Sequence, residues 1–328
     1  MKKLLKISLV PFLAFTSFSL VACQNASSKE IKIQHQKTFQ EKIDPHLKEL
    51  VSKFFQNNQA EINSFYTLES QTNKLLFPEV LNSLIFAPLW DVDVYDNSGY
   101  SKSKQTFQSI KNIREILHQK WFWALNNIDK LVFVYNPYGA DYNYYPFENN
   151  EAQKETIKTK IANGEVLKEI KNPQILDSFE FELTNDKFDI YTNKKLKFLK
   201  FDANLFIPLL EFESEQKLNY FLFPELLELK NNEQESETFT EFVSIFNKQR
   251  EKRDAENIQY YKELNASENE NESSFDSDEY LKNNNDKVIF DVYTKKNYAE
   301  LFKRTIEELK QNQNIEITKY TWGYLNEK

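Results

Sequence analysis

Cysteine is almost absent from this sequence, which contains one cysteine among 328 residues. A single thiol cannot form a disulfide within the chain, so the fold must be stabilised by a packed core. The three histidines, His35, His46 and His118, are too far apart in sequence to form a zinc-binding motif. We therefore expect no metal site and no cofactor.

Glycine is scarce as well, with four residues, and none of them lies in a GxSxG motif or in a phosphate-binding loop. This excludes the usual nucleophile elbow of a serine hydrolase and the P-loop of a nucleotide-binding enzyme. The acidic stretch 91–99 misses the ligand positions of a calcium loop, which favours a solvated turn. Paired carboxylates from distant positions stay possible, because such pairs are recognised by their separation in space.

An excess of positive charge is also missing, since the chain has 42 basic and 50 acidic residues and a net charge of −8. Acidic and basic residues alternate along most of the sequence. Nucleic-acid binding requires clustered basic residues that neutralise phosphates. We therefore expect no nucleic-acid partner.

The apolar run at the N-terminus is too short for a membrane-spanning helix. Residues 7–21 follow Lys2, Lys3 and Lys6, and a spanning helix needs about 20 apolar residues. Residues 1–22 therefore have the pattern of an export signal. The sequence Leu20-Val21-Ala22-Cys23 ends this segment and resembles the bacterial lipobox.

The lipobox resemblance implies that Cys23 is alkylated with diacylglycerol and becomes the first residue of the mature protein. The mature chain would then be anchored on the outer face of the cell membrane, with residues 23–30 as a short tether. The membrane is thus the first predicted partner, through the lipid on Cys23. The alternative is an ordinary cleaved signal followed by an unmodified cysteine.

The periodicity of apolar residues predicts an α+β fold. Residues 31–172 read as a mainly helical part, which packs against an antiparallel β meander within 173–328, followed by C-terminal helices and strands. Helices are predicted from Pro45, from Phe77-Pro78, and over 107–128, 148–162, 239–264 and 298–309. Strands are predicted over 131–135, 179–183, 188–192, 196–201, 205–212, 218–223, 288–293 and 315–320. Residues 266–287 are acidic and rich in Asn and Ser, which is typical of a mobile loop.

Residues 121–147 form the most unusual segment, with ten aromatic side chains in 27 residues. Such rings can form a surface on which sugars or planar ligands stack. The candidate residues of this platform are Trp123, Tyr135, Tyr138, Tyr142, Tyr144 and Tyr145. The other interpretation is that these aromatic side chains pack the junction between the helices and the sheet.

The lipobox, the abundance of Asn, Lys, Phe and Tyr, and a Trp/Tyr-dense stretch around Asn136-Pro137-Tyr138-Gly139 support a family resemblance. The chain resembles the mycoplasma surface lipoproteins described as aromatic motif or aromatic cluster membrane proteins. This resemblance implies surface exposure and no established activity, so no catalytic residue is carried over.

Three functions are consistent with these patterns. The first is a surface lipoprotein without catalysis, acting as an interaction or antigenic protein with a protein or glycan partner. The second is a solute-binding lipoprotein of an importer for a sugar or nucleoside. The third is a carboxylate-dependent hydrolase, which requires two acids facing each other across a cleft.

The lipobox assignment predicts that Cys23→Ala removes the protein from the membrane fraction, because two acyl chains make attachment effectively permanent. Fractionation of cells that express either form measures this. A variant that remains with membranes as the wild type does would contradict the assignment.

Overall fold

The computed structural model describes residues 38–89, 103–136, 151–230, 234–268, 275–294 and 297–326, and its architecture is α+β, as expected. The helices are α1 (Pro45–Phe54), α2 (Gln59–Phe86), α3 (Lys104–Gln119), α4 (Trp121–Asn126), α5 (Glu151–Ala162), α6 (Glu235–Glu268), α7 (Ser277–Asn283), α8 (Asp286–Ile289) and α9 (Tyr298–Gln313). The strands are β1 (Leu131–Tyr135), β2 (Leu167–Glu169), β3 (Asp177–Glu182), β4 (Thr192–Lys200), β5 (Leu205–Ser214), β6 (Lys217–Leu222), β7 (Glu225–Leu229) and β8 (Ile317–Leu325).

The first helices begin at side chains that cap their free amides. The Asp44 carboxylate accepts hydrogen bonds from the amides of His46 (2.8 Å) and Leu47 (3.3 Å), which confirms the predicted start of α1. The second helix begins much earlier than predicted, because Asn58 caps it at the Ala60 amide (3.2 Å). Pro78, which was predicted to start this helix, lies inside α2 instead.

All eight strands of the described chain form one antiparallel sheet. The strand order is β2-β1-β8-β7-β5-β4-β3, with β6 paired to β5. Consecutive strands β3 to β6 pair with their neighbours, which confirms the predicted meander. The last strand, β8, lies between β1 and β7, so strands from both predicted segments of the chain share one sheet.

Two predicted strands are wrong, and a buried carboxylate joins the two segments. Residues 288–293 form the end of helix α8 and a turn, and residues 188–191 are irregular. The carboxylate of Asp286, which is fully buried, accepts hydrogen bonds from the amides of Ile190 and Tyr191, each at 3.1 Å. These amides therefore bond to a side chain in place of a neighbouring strand.

The predicted loop at 266–287 is largely helical where the structure describes it. Helix α6 continues to Glu268, and Asp276 caps α7 at the amide of Asp278 (2.8 Å). Tyr280 in α7 packs against Tyr261, with their ring centres 5.8 Å apart. This contact buries an aromatic side chain within a segment whose composition favoured mobility; residues 269–274 lie outside the described chain.

Helices cover both faces of the sheet. On one face, Phe239 of α6 stacks on Phe198 of β4, with ring centres 3.9 Å apart and planes at 15°. On the other face, Trp121 of α4 lies against Tyr220 of β6 with ring centres 4.8 Å apart. Buried side chains from both halves of the sequence belong to one continuous hydrophobic core.

Because Phe239 is fully buried between strands and helix, Phe239→Ala should lower the free energy of unfolding by about 3–5 kcal/mol through lost burial and the cavity it leaves. Urea denaturation measures this loss. The matched control is Phe107→Ala, since Phe107 is 58% exposed on α3 and should change stability by about 0.5 kcal/mol or less. Equal losses in the two variants would contradict the packing described here.

Candidate functional site

The predicted aromatic platform is only partly within the described chain. Four of its residues lie outside the described chain, in the stretch between β1 and α5: Tyr138, Tyr142, Tyr144 and Tyr145. Cys23 and the acidic stretch 91–99, which precede β1 in the sequence, also lie outside the described chain. Trp123 is 1% exposed, and its ring lies edge-on to Phe77 with centres 5.2 Å apart. Trp123 is therefore a core residue, and its assignment to a surface platform is wrong.

Tyr135 is the platform residue that the structure describes near the surface. It is the last residue of β1 and is half-buried. Its ring centre lies 6.0 Å from that of Tyr320, and the Lys160 ammonium lies 4.7 Å from the ring centre. Burial raises the pKa of the Tyr135 hydroxyl. The Lys160 ammonium therefore makes a cation–π contact with one face of the Tyr135 ring.

A cleft of about 490 Å³ opens beside Tyr135, and we call it the lysine cleft. Its lining residues are Tyr135, Thr156, Lys160, Lys303, Ile306, Glu307, Lys310, Glu316, Ile317, Thr318 and Lys319. The volume falls within the range of about 300–1,000 Å³ that is typical of small-molecule sites. Four of the lining side chains are lysines.

Helices α5 and α9 and strands β1 and β8 build the lysine cleft. Helix α5 contributes Thr156 and Lys160, one turn apart, and helix α9 contributes one face with spacing i, i+3, i+4 and i+7 from Lys303 to Lys310. The last Cα pair between β1 and β8 joins Tyr135 to Tyr320. Residues 317–319 of β8 thus extend past the paired part of β1, which leaves room for the cleft between the two helices.

The carboxylates near the cleft neutralise only part of this charge. Lys160 forms an ion pair with Glu165 at 3.4 Å. Glu316 pairs at 2.6 Å with Lys230, which does not line the cleft, and this contact lowers the Glu316 pKa. Among the described residues, Lys303 and Lys310 form no ion pair.

Lys319 is one of the residues that line the cleft, and its side chain is buried close to a second buried ionisable group. Its Nζ atom has no hydrogen-bond partner within the described chain, and burial lowers its pKa to about 8. Glu225 on the neighbouring strand accepts a hydrogen bond from the Tyr298 hydroxyl (3.2 Å), and burial raises its pKa to about 7. Glu300 and Lys303 of α9 also act electrostatically on Lys319.

Perturbed carboxyl groups elsewhere in the described chain bond to neighbouring side chains or amides. Glu180 bonds to Lys195 and Lys197, and these contacts lower its pKa to about 2. Asp189 bonds to Lys194 and to Arg250, the latter at 2.5 Å. Carboxylates held in this way are structural partners of cations, and the contacts give no support to the hydrolase hypothesis.

The described ranges contain neither a metal-binding cluster nor a helix able to span a membrane. No group of three or more His, Cys, Asp or Glu side chains there is arranged to hold a metal ion. None of the helices in those ranges combines the length and the apolar character needed to cross a membrane.

Comparison of the chain with protein-family models, curated proteins and solved structures gives no match. The resemblance to aromatic cluster lipoproteins therefore stays a prediction. The lysines of the cleft were missed in the sequence because Lys160 of α5 lies far along the chain from the lysines of α9 and β8. The only local signal is the i, i+7 spacing of Lys303 and Lys310, which is common on solvent-facing helices.

The buried pair should make stability depend on pH in a defined window. Because burial raises the pKa of Glu225, its contribution to stability falls as pH rises from about 4.3 to about 7. Because burial lowers the pKa of Lys319, its contribution falls as pH decreases from about 10.4 to about 8. The combined cost is therefore greatest between pH 7 and 8.

Replacing both groups by neutral residues, as in Glu225→Gln/Lys319→Met, should raise the free energy of unfolding by about 1–4 kcal/mol near pH 7.5. The gain over wild type should shrink towards pH 5 and towards pH 10, as measured by urea denaturation across this range. Either single variant leaves the other group buried without its partner and should be less stable than the double variant. A pH-independent difference would contradict the assignment.

Proposed function

We propose that this chain is a membrane-anchored surface lipoprotein without catalytic activity, which binds a partner on the outer face of the cell. The signal-like N-terminus and the position of Cys23 support the anchor. The observation that carries the binding role is the lysine cleft, an open cavity of about 490 Å³ formed where α5, α9 and β8 meet. Clefts of this size and composition are suited to recognising a charged group on a partner.

Several contacts favour binding over catalysis. The lysines of the cleft present positive charge, and Glu316, one of its two glutamates, is engaged by Lys230. General acid–base catalysis requires a titratable group placed within reach of the substrate. Glu225, whose pKa is raised to about 7, is fully buried and bonded to Tyr298. Glu316 and Glu225 are therefore held by neighbouring side chains, and the lysines of the cleft supply electrostatic attraction.

A solute-binding lipoprotein of an importer is the second candidate, and the volume of the cleft favours it. Importer receptors usually have two lobes in which strands alternate with helices. The sheet of this chain is antiparallel, with consecutive paired strands from β3 to β6. The antiparallel sheet therefore favours a non-catalytic interaction protein over an importer receptor.

Labelling of intact cells with a membrane-impermeant amine reagent tests the surface location. Wild-type protein should be labelled on intact cells, because its exposed lysines would face the medium. It should also stay with the cells, because its lipid anchors it. The Cys23→Ala variant, which lacks the lipid anchor, should no longer stay attached to the cell surface. A wild-type protein that is protected until the cells are broken would contradict the proposal.

A further inference from the structure

The lysine cleft carries a charge opposite in sign to that of the whole chain. Four lysines and two glutamates line it, whereas the chain has a net charge of −8. Since Lys230 neutralises Glu316, the glutamate of the lining without an ion pair in the described chain is Glu307. A cleft with concentrated charge of one sign focuses the electric field and attracts ligands of the other sign. The lining of the cleft therefore favours an anionic ligand, although the chain as a whole is acidic.

Lys319 is a second, independent observation that points to an anion. The residue is 4% exposed, and its ammonium has no hydrogen-bond partner within the described residues. Buried polar groups in proteins are nearly always hydrogen-bonded. Lys194, another buried lysine, bonds to Asp189 and lies 3.5 Å from Asp286. Lys319, by contrast, has no hydrogen-bond partner among the described residues, and its interaction with Glu225 is electrostatic.

We propose that the lysine cleft binds a phosphate or sulfate ester, with Lys303 and Lys310 of α9 contacting the oxyanion and Lys319 adding positive charge beneath it. This inference rests on the proposed function as a binding protein and names the chemical class of its ligand. The ester belongs to a small molecule or to the end of a larger one that fits a cavity of about 490 Å³.

The contacts favour an oxyanion over the neutral sugar that an aromatic platform would bind. The Lys160 ammonium occupies a position 4.7 Å from the centre of the Tyr135 ring, so this ring serves to hold a cation. Lysine is a flexible point charge with three donors, which suits the oxygen atoms of phosphate or sulfate. A dianion also interacts with several lysines at once, whereas a neutral sugar gains nothing from them.

Isothermal titration of the detergent-solubilised, full-length lipoprotein at an ionic strength of about 0.1 M, where the Debye length is about 10 Å, tests the proposal. The probes are glucose 6-phosphate, a sulfated disaccharide, inorganic phosphate and glucose. We expect at least one of the two esters to bind and glucose to give no heat. Charge reversal in Lys303→Glu/Lys310→Glu should weaken ester binding at least about tenfold, equivalent to about 1.4 kcal/mol.

The matched control is Lys217→Glu/Lys248→Glu, which changes the net charge equally at two exposed lysines that do not line the cleft. Its affinity should stay within about twofold of wild type, since charges beyond the Debye length are screened. Lys303→Arg/Lys310→Arg keeps both charges and should retain binding. Circular dichroism and the unfolding midpoint verify that each variant is folded, and Lys310→Glu alone serves if the double variant is not.

Three results would overturn the proposal. The first is that neither ester binds at millimolar concentration. The second is that the two charge-reversal variants lose affinity equally, which locates the anion elsewhere. The third is that inorganic phosphate binds as tightly as the esters, which makes the free ion the ligand. None of these outcomes bears on the labelling of intact cells, so the surface location is tested separately.

Discussion

The position of β8 between β1 and β7 is the constraint on which the rest of the structure depends. β8 pairs with β1 through Tyr320 and Trp322, and with β7 over five residue pairs from Ile317 to Thr321. A strand from the end of the chain thereby joins the helices and strands of the first half to the meander of the second. The same placement sets Lys319 beside Glu225 and brings the start of β8 to the face of α9, so the cleft follows from the strand order.

Two groups of buried charges differ in how completely they are paired. Lys194 is enclosed by Asp189 and Asp286, and the amides of residues 190 and 191 satisfy the second carboxylate. Desolvated charges are tolerated when close partners and hydrogen bonds compensate them. Lys319 lacks this compensation, although Glu225 acts on it electrostatically. Perturbed, incompletely paired groups beside a cleft are frequent at functional sites.

Local patterns in the sequence predicted those elements whose stability depends on local contacts. The Asp44-Pro45 cap located the first helix, and alternation of apolar residues located β3 to β6. Prediction failed where a side chain replaced a backbone partner: Asp286 binds the amides at 190 and 191, which no periodicity reveals. Trp123 was assigned to the platform because of the density of aromatic residues in 121–147, yet its ring packs edge-on against Phe77 of α2.

The lysine cleft could not be predicted, because its lining comes from α5, α9, β1 and β8 and depends on the sheet order. Individually, Lys160, Lys303 and Lys310 are unremarkable lysines on helices. Their proximity is a property of the tertiary structure. Tyr135 of the aromatic segment is one of the residues that line the cleft.

Native-state hydrogen exchange of β8 tests the central claim most directly, because amides in a cooperatively packed central strand exchange only through global unfolding. The account predicts that the amides of Tyr320 and Trp322 exchange with the same free energy as those of β5, near the global value. Faster exchange of β1 and β8 together, while β3 to β6 stay protected, would contradict it. The two halves of the chain would then unfold separately, and β8 would not unite them.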